Sequence, residues 1–297
     1  MKKIQCPICH HEMIEESLPQ ERAFRYEKCI RKCLNCRIGA YNSEKKTTYI
    51  YEDFHKNIPF DLLENLDYTV NHSNNNRNHF SKKIRIGYST SEDAVSWIFI
   101  KYFIKNQKLN ILQEIFNCKS KITEILMWGV PQINKQYENP LKNICRDLGE
   151  NKNSYSEPDI IMITEEEVIF IEVKVKSSND KQDPDKKNFD RYLNNEFYLD
   201  KNLAKKSKYY ELIRNWTIAH YFSNGKKTRL INLAPKNLFY QESKRDFSNF
   251  ISSLKNKENF EQLSWEDVIQ AMIDNSINTK FIDELKKRIW PKQMITE

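Results

Sequence analysis

Two short apolar runs carry three charges that their strands cannot hide. Ser156-Glu157-Pro158-Asp159 leads into Ile160-Ile161-Met162-Ile163-Thr164, and Val168-Ile169-Phe170-Ile171 leads into Glu172-Val173-Lys174. Runs of this length and composition are strands, and the polar Thr164-Glu165-Glu166-Glu167 between them makes the turn of an antiparallel hairpin. With the turn centred between Glu165 and Glu166, Asp159 lies directly opposite Glu172 on one face. Opposed Cβ atoms sit about 4.5–5.5 Å apart, a spacing at which like charges repel. Half-buried carboxylates so placed need a positive charge between them, because an unpaired buried charge costs several kcal/mol or is protonated. A hard divalent cation, Mg²⁺ or Mn²⁺, meets that need. The two-residue period of a strand puts Lys174 on the face of Glu172, while Ile171, Val173 and Val175 turn toward a core. Carboxylates for a cation, a water acidified by it and an adjacent ammonium are the equipment for phosphodiester hydrolysis. An ordinary Glu–Lys alternation on a wet hairpin face would instead expose Val168 and Phe170.

Pro158-Asp159, then twelve residues, then Glu172-Val173-Lys174 resembles the PD-(D/E)xK signature of the restriction-endonuclease-like superfamily. The resemblance covers about residues 89–235. It implies an α/β fold, a mixed sheet flanked by helices, in the order helix, three-stranded antiparallel meander, helix, strand. It further implies that Asp159 and Glu172 bind the catalytic cation, that the Val173 carbonyl adds a ligand, and that Lys174 positions the attacking water, with Lys176 a weaker stand-in. In the superfamily a glutamate of the first helix commonly completes the site. Glu92 is the matching residue, although Ser89-x-x-Glu92 also reads as a capping box that only ties off backbone N–H groups.

The rest of the chain supplies the expected order. Ala94, Val95, Ile98, Phe99, Tyr102 and Phe103 recur at helical spacing and predict a helix over 91–105. Residues 122–130 read as the first strand of the meander, with Glu124 as the alternative to Glu92. Leu203, Tyr209, Leu212, Ile213, Trp216, Ala219 and Phe222 predict a helix over 201–223, stopped by Asn224-Gly225. Thr228–Ala234 reads as a buried strand ended by Pro235. His220 has no second histidine at metal spacing and reads as a core or rim residue.

At the other end, Cys6-Pro7-Ile8-Cys9 and Cys33-Leu34-Asn35-Cys36 are two Cys-x-x-Cys knuckles, the pattern of a tetrahedral zinc site resembling a zinc ribbon. The segment between them reads as a hairpin with Phe24 and Tyr26 alternating in its returning strand. Cys29, His10 and His11 stand close enough in sequence to compete as ligands. A module this small needs the metal for its folding energy. Arg31, Lys32 and Arg37 flank the second knuckle, so nucleic-acid contact and a purely structural cap both stay open.

These pieces divide the chain into a zinc ribbon at 1–52, a linker or loop region at 53–88, a nuclease core at 89–240 and a C-terminal helical extension at 241–297. The polar stretch Asn71–His79 is read as a flexible loop between modules. The C-terminal helices either pad the sheet or make a homodimer contact. No run of 18 apolar residues occurs, which excludes a membrane-spanning helix. A cytoplasmic setting is expected, since neither a leader nor a disulfide framework is legible. The net charge of +7 is concentrated: residues 201–250 hold eleven Lys or Arg against three Asp or Glu. Lys201, Lys205, Lys206, Lys208, Arg214, Lys226, Lys227 and Arg229 are therefore candidates to track a phosphate backbone. The sequence points to a Mg²⁺-dependent endodeoxyribonuclease of restriction, phage defence or mobile-element processing, with DNA as partner. The alternatives are RNA as substrate, or a zinc-ribbon adaptor that binds nucleic acid without cutting, in either case beside proteins of a defence system.

Overall fold

The computed structural model describes residues 4–15, 25–42, 48–75, 79–179, 181–241 and 243–291. Near the N-terminus β1 (Ile14–Glu15), β2 (Arg31–Cys33), β3 (Ile38–Ala40) and β4 (Tyr49–Tyr51) form an antiparallel sheet in chain order. Gly39 is required at its centre, because a Cβ there would collide with the Cys29 side chain. Tyr26 is not in a returning strand; it lies in a 3-10 turn, Tyr26–Lys28, while Phe24 falls outside the described residues.

Residues 53–88, expected as a linker, are folded. α1 (Leu66–His72) and α2 (His79–Ile86) bury Leu66, Val70 and Ile86 in the main core, together with Leu62. Their polar neighbours mask this in the sequence. Asn57 is buried and donates to the carbonyls of Ile86 (2.6 Å) and Tyr88 (2.8 Å), and Asn74 is buried and donates to the carbonyl of Ser156. Asparagines here satisfy backbone groups that water cannot reach. Of the expected loop 71–79, residues 76–78 lie outside the described residues.

α3 (Glu92–Lys105) and α4 (Leu109–Ile115) lead into β5 (Ile122–Met127). β5 stops three residues short of Val130 because Trp128 and Gly129 take φ of 51° and 81°, turning the chain back as β6 (Val130–Pro131). Two central residues with positive φ make the tight hairpin turn that suits strand twist. α5 (Leu141–Asp147), β7 (Ile160–Thr164) and β8 (Glu167–Val173) follow. The single helix expected over 201–223 is two, α6 (Lys201–Ser207) and α7 (Tyr210–Ser223), broken where Lys208 takes φ of 64°. After β9 (Lys227–Ala234) come α8 (Lys236–Gln241), α9 (Lys244–Ser253), β10 (Phe260–Ser264), α10 (Trp265–Asp274) and α11 (Thr279–Ile289). The C-terminal region is thus not purely helical, since β10 joins the sheet. Ser264 caps α10 by accepting from the Asp267 amide at 3.0 Å.

The main sheet has the order β10-β9-β8-β7-β5-β6, parallel from β10 to β8 and antiparallel from β8 onward. Alternation sorts its side chains. Ile160, Met162, Ile169, Ile171 and Val173 face a core with α3, α10 and α11, whereas Ile161, Ile163, Val168 and Phe170 face one with α5 and α7. Burial on both faces explains why these strands read as unbroken apolar runs. Truncating Phe170 to alanine would cost about 3–5 kcal/mol by the usual cavity penalty. Among the described residues no helix is long and apolar enough to cross a membrane.

Candidate active site

The hairpin has the register expected from its sequence: Ile160 pairs with Ile171, Ile161 with Phe170, Met162 with Ile169 and Ile163 with Val168. One step outward, Asp159 meets the end of β8, and its carboxylate accepts the Val173 N–H at 2.8 Å. Parity puts Asp159, Glu172 and Lys174 on the α7 side of the sheet. Glu172 is 3% exposed and Lys174 6%.

Two residues of α7 that the sequence did not single out complete this cluster. The Lys174 ammonium donates to Glu172 Oε1 at 2.5 Å and to Glu211 Oε2 at 2.7 Å, and Asn215 Nδ2 donates to Glu172 Oε2 at 2.7 Å. Glu211 and Asn215 are one helical turn apart, so both reach the same strand end. That spacing was visible in the sequence; that α7 would lay this face over β8 was not. Burial, and then the charge of Glu211, push the Glu172 carboxyl up to about 7. Burial also pushes Glu211 upward, but the Lys174 ammonium and the Arg214 guanidinium outweigh it and hold Glu211 down at about 2. Asp159 is raised well above its ordinary range by burial and by the Glu172 charge. Burial opposes the charge on Lys174, yet Glu172 and Glu211 hold it firmly protonated.

Glu92 enters from the opposite face of the sheet. It is not part of a capping box: Ser91 is the N-cap of α3 and accepts from the Ala94 amide, while Ser89 Oγ accepts from the Tyr49 amide. Freed from capping, Glu92 accepts from the Val175 N–H at 3.0 Å and from Ser177 Oγ at 2.7 Å. Glu92, Asp159, Glu172, Lys174, Lys176 and Glu211 all line one cleft of 380 Å³. Its wall contains a further buried network. Lys82 is ion-paired to Asp93 at 3.0 Å and to Glu157, and its ammonium lies 4.2 Å from the Trp128 ring centroid. Lys176 is exposed and donates to Thr48 Oγ1 at 3.2 Å, so it sits at the rim rather than in the place of Lys174.

Glu124 is not at the cleft. It is buried on β5, where it accepts from the amides of Ile125, Gln132, Ile133 and Asn134 and so fastens the chain after β6. The basic window 201–250 does not form one face beside the carboxylates either. β8 and β9 run parallel with Glu167 opposite Lys227 and Glu172 opposite Asn232, which sets Lys226, Lys227 and Arg229 toward the far end of the sheet. Arg229 is buried, donating to the Phe116 carbonyl and pairing with Glu261 at 2.9 Å; Lys226 donates to the Thr164 carbonyl. Lys205 pairs with Asp190 at 2.6 Å, whereas Lys206 and Lys208 are exposed. Of these candidates Arg214 alone, through Glu211, is bonded into the site.

The thiols form a second centre. Cys6, Cys9, Cys33 and Cys36 bring their sulfurs within 4.8 Å of one another, and among the described residues no other set of three or more metal-ligating types does so. Both knuckles have the same geometry: His10 and Arg37 take φ of 58°, and their amides donate to the carbonyls of Cys6 and Cys33, at 3.1 and 2.9 Å. Cys29 is outside the set, buried beside Gly39, and neither His10 nor His11 joins it. Arg37 is ion-paired with Glu52, and both Arg37 and Lys32 stack over Tyr26. All seven cysteines are free thiols. Four sulfurs gathered within 4.8 Å are, once deprotonated, a donor set that suits zinc.

Residues 106–290 match the family model described as restriction endonuclease associating with ARP. The chain belongs to that family. Asp159, Glu172, Lys174 and Glu211 lie inside the matched span, as do β10, α10 and α11. The thiol module, Lys82 and Glu92 precede it. No curated protein and no solved structure matches this restriction-endonuclease family member.

Proposed function

We propose that the chain is a metal-dependent endodeoxyribonuclease of the PD-(D/E)xK type. The observation that carries this reading is the convergence of Asp159, Glu172 and Lys174 at one strand end, on one face, in one cleft. Their oxygen donors suit a hard cation such as Mg²⁺ or Mn²⁺, which is bound through one or two carboxylates with water filling the remaining positions. Asp159 and Glu172 would hold it. The Val173 carbonyl belongs to the same set, since Val173 directs its N–H at Asp159 and a strand residue sends its N–H and C=O to the same side. When bound, such a cation supplies Lewis acidity and offsets charge on the phosphate.

The protein residues do the rest. Lys174 is held as an ammonium by Glu172 and Glu211, so it offers positive charge, and an N–H donor to orient the attacking water, at a fixed point. Asn215 fixes the rotamer of Glu172. Glu92, anchored on the Val175 amide, adds a carboxylate on the opposite wall. Lys82 pairs with Asp93 and Glu157 and Arg85 lies 3.5 Å from Asp93, so two cations offset these two carboxylates and the loop carrying Asp159 approaches a polyanion without two bare carboxylates beside it. Structural zinc in the Cys6, Cys9, Cys33 and Cys36 set would fasten the N-terminal module. Restriction or phage defence is the role that best suits a restriction-endonuclease family member.

The experiment is incubation of the purified chain with plasmid, linear duplex, single-stranded DNA and RNA, with Mg²⁺ or with excess EDTA. Cleavage of DNA that EDTA abolishes supports the reading. Undiminished cleavage in EDTA sinks the metal mechanism. Preferential cleavage of RNA moves the substrate, and binding without cleavage under every condition makes the chain an adaptor.

A further inference from the structure

Beside the cleft lies a second cavity of 370 Å³, joined to it through two shared wall residues, Asn75 and Glu157. Lys187, Arg191 and Arg214 supply its positive charge, and Tyr210 forms part of its wall. Its two glutamates are already spent. Glu150 accepts from the Ser156 amide (2.6 Å), Ser156 Oγ (2.6 Å) and Tyr192 Oη (2.8 Å). Glu157 is paired with Lys82 and accepts from the Asn75 amide at 3.0 Å.

The cations, in contrast, are under-used. Arg214 reaches Glu211 only at 3.6 Å and Asn215 at 3.4 Å, although a guanidinium carries five N–H donors. Lys187 lies 5.8 Å from the Tyr210 ring centroid, and among the described residues neither Lys187 nor Arg191 has a carboxylate partner. The cavity therefore holds surplus positive charge around a planar fork, the geometry that suits a phosphate. Any strand whose scissile phosphate lies over Asp159 and Glu172 must continue past the mouth of the cleft, and the shared wall leads into this cavity.

We propose that the cavity is a subsite for a backbone phosphate adjoining the one that is cut, held by Lys187, Arg191 and Arg214. The inference rests on the nuclease reading above. Through Glu211, Arg214 also ties this subsite to Lys174, so a phosphate bound here would register the strand against the catalytic ammonium.

The test measures affinity of the full chain carrying Lys174→Ala for a fluorescent DNA oligonucleotide in Mg²⁺ at a series of salt concentrations. Lys187→Ala with Arg191→Ala should weaken binding and flatten the slope of log affinity against log salt. The expected change is about 0.9 for each duplex phosphate no longer neutralised, or about 0.7 for single strands. Lys206→Ala with Lys227→Ala removes the same charge from residues that do not line the cavity and should leave the slope unchanged. A slope that stays put in the first variant, or falls equally in both, overturns the subsite while leaving the nuclease reading intact. Failure of the parent to bind any nucleic acid overturns both.

Discussion

The Ser89 amide donates to the Tyr49 carbonyl at 2.9 Å, and this hydrogen bond joins the thiol module to the approach to the candidate active site. Tyr49 returns the bond from its own amide to Ser89 Oγ, Tyr51 donates to the Gly87 carbonyl, and Ile50 is bridged to Tyr88. Residues 87–90 therefore act as one more strand of the N-terminal sheet, and two residues later the chain reaches Glu92.

Metal loss should thus be felt beyond the module. Elemental analysis is expected to find close to one zinc per chain, lost in a Cys6→Ser/Cys36→Ser variant. Amide exchange in that variant should quicken at Tyr51, Ser89 and Val175 as well as in the knuckles. Exchange that changes before residue 42 and nowhere later would show that the ladder does not transmit the loss.

Beyond its proposed part in cleavage, Lys174 holds two buried carboxylates together. Removing one partner of a buried ion pair leaves an uncompensated charge, typically at a cost of 3–5 kcal/mol. Lys174→Met should therefore lower stability by roughly that amount in the absence of divalent cation, besides cutting the cleavage rate by orders of magnitude. Adding Glu211→Gln should restore a good part of the stability and none of the rate. Denaturant titration of the two variants and the double variant checks this, and additive losses would contradict the coupling.

Glu124 and Arg229 illustrate the opposite case, conspicuous charges with no place in the cleft. Glu124→Ala takes this acceptor from the amides of Ile125, Ile133 and Asn134, while the Gln132 amide keeps the Ile125 carbonyl at 2.9 Å. It should cost several kcal/mol at about 1–3 kcal/mol per unsatisfied group, fewer where water reaches them. Cation affinity of the folded variant should match the parent. A folded variant with weakened Mg²⁺ affinity would restore Glu124 as a ligand.

What the sequence made legible was whatever depended on local periodicity. Alternation along 160–163 and 168–173 set the register of the hairpin and hence the meeting of Asp159 with Glu172. The helical spacing after Ser91 located α3, although the cap is Ser91 itself. What stayed hidden depended on which helix packs on which strand. Glu211 and Asn215 are an acid and an amide in a helix full of better core signals, and only the packing of α7 on β8 makes them neighbours of Lys174. Charge counting misled for a related reason. Lys226 and Arg229 are near Arg214 in sequence but lie toward the other end of the sheet, where their donors serve backbone carbonyls. Polar composition likewise suggested a linker in a region whose Asn57 and Asn74 are buried and bonded.

The raised carboxyl of Glu172 makes the last prediction one of pH. In the metal-free fold Glu172 holds its proton up to about 7, against an ordinary value near 4.5. Between those two values the folded chain binds more protons than the unfolded one at this site, so its contribution to stability falls as pH rises and levels off above about 7. Glu211 acts with the opposite sign: held at about 2, it contributes stability that is present above 4.5 and is lost as pH falls toward 2. With Asp159 and Glu172 as its proposed ligands a cation needs both ionised, so binding must release protons, and Mg²⁺ affinity should climb with pH through about 7, where Glu172 loses its proton, with Asp159 adding to the dependence. Titration calorimetry in buffers of different ionisation enthalpy reads the released protons directly. In Glu172→Gln the share of the pH dependence that Glu172 supplies should be lost along with most of the affinity, leaving that of Asp159. Mg²⁺ affinity that is flat from pH 5.5 to 8 in the parent would mean that Glu172 is already ionised, with Lys174 compensating it fully.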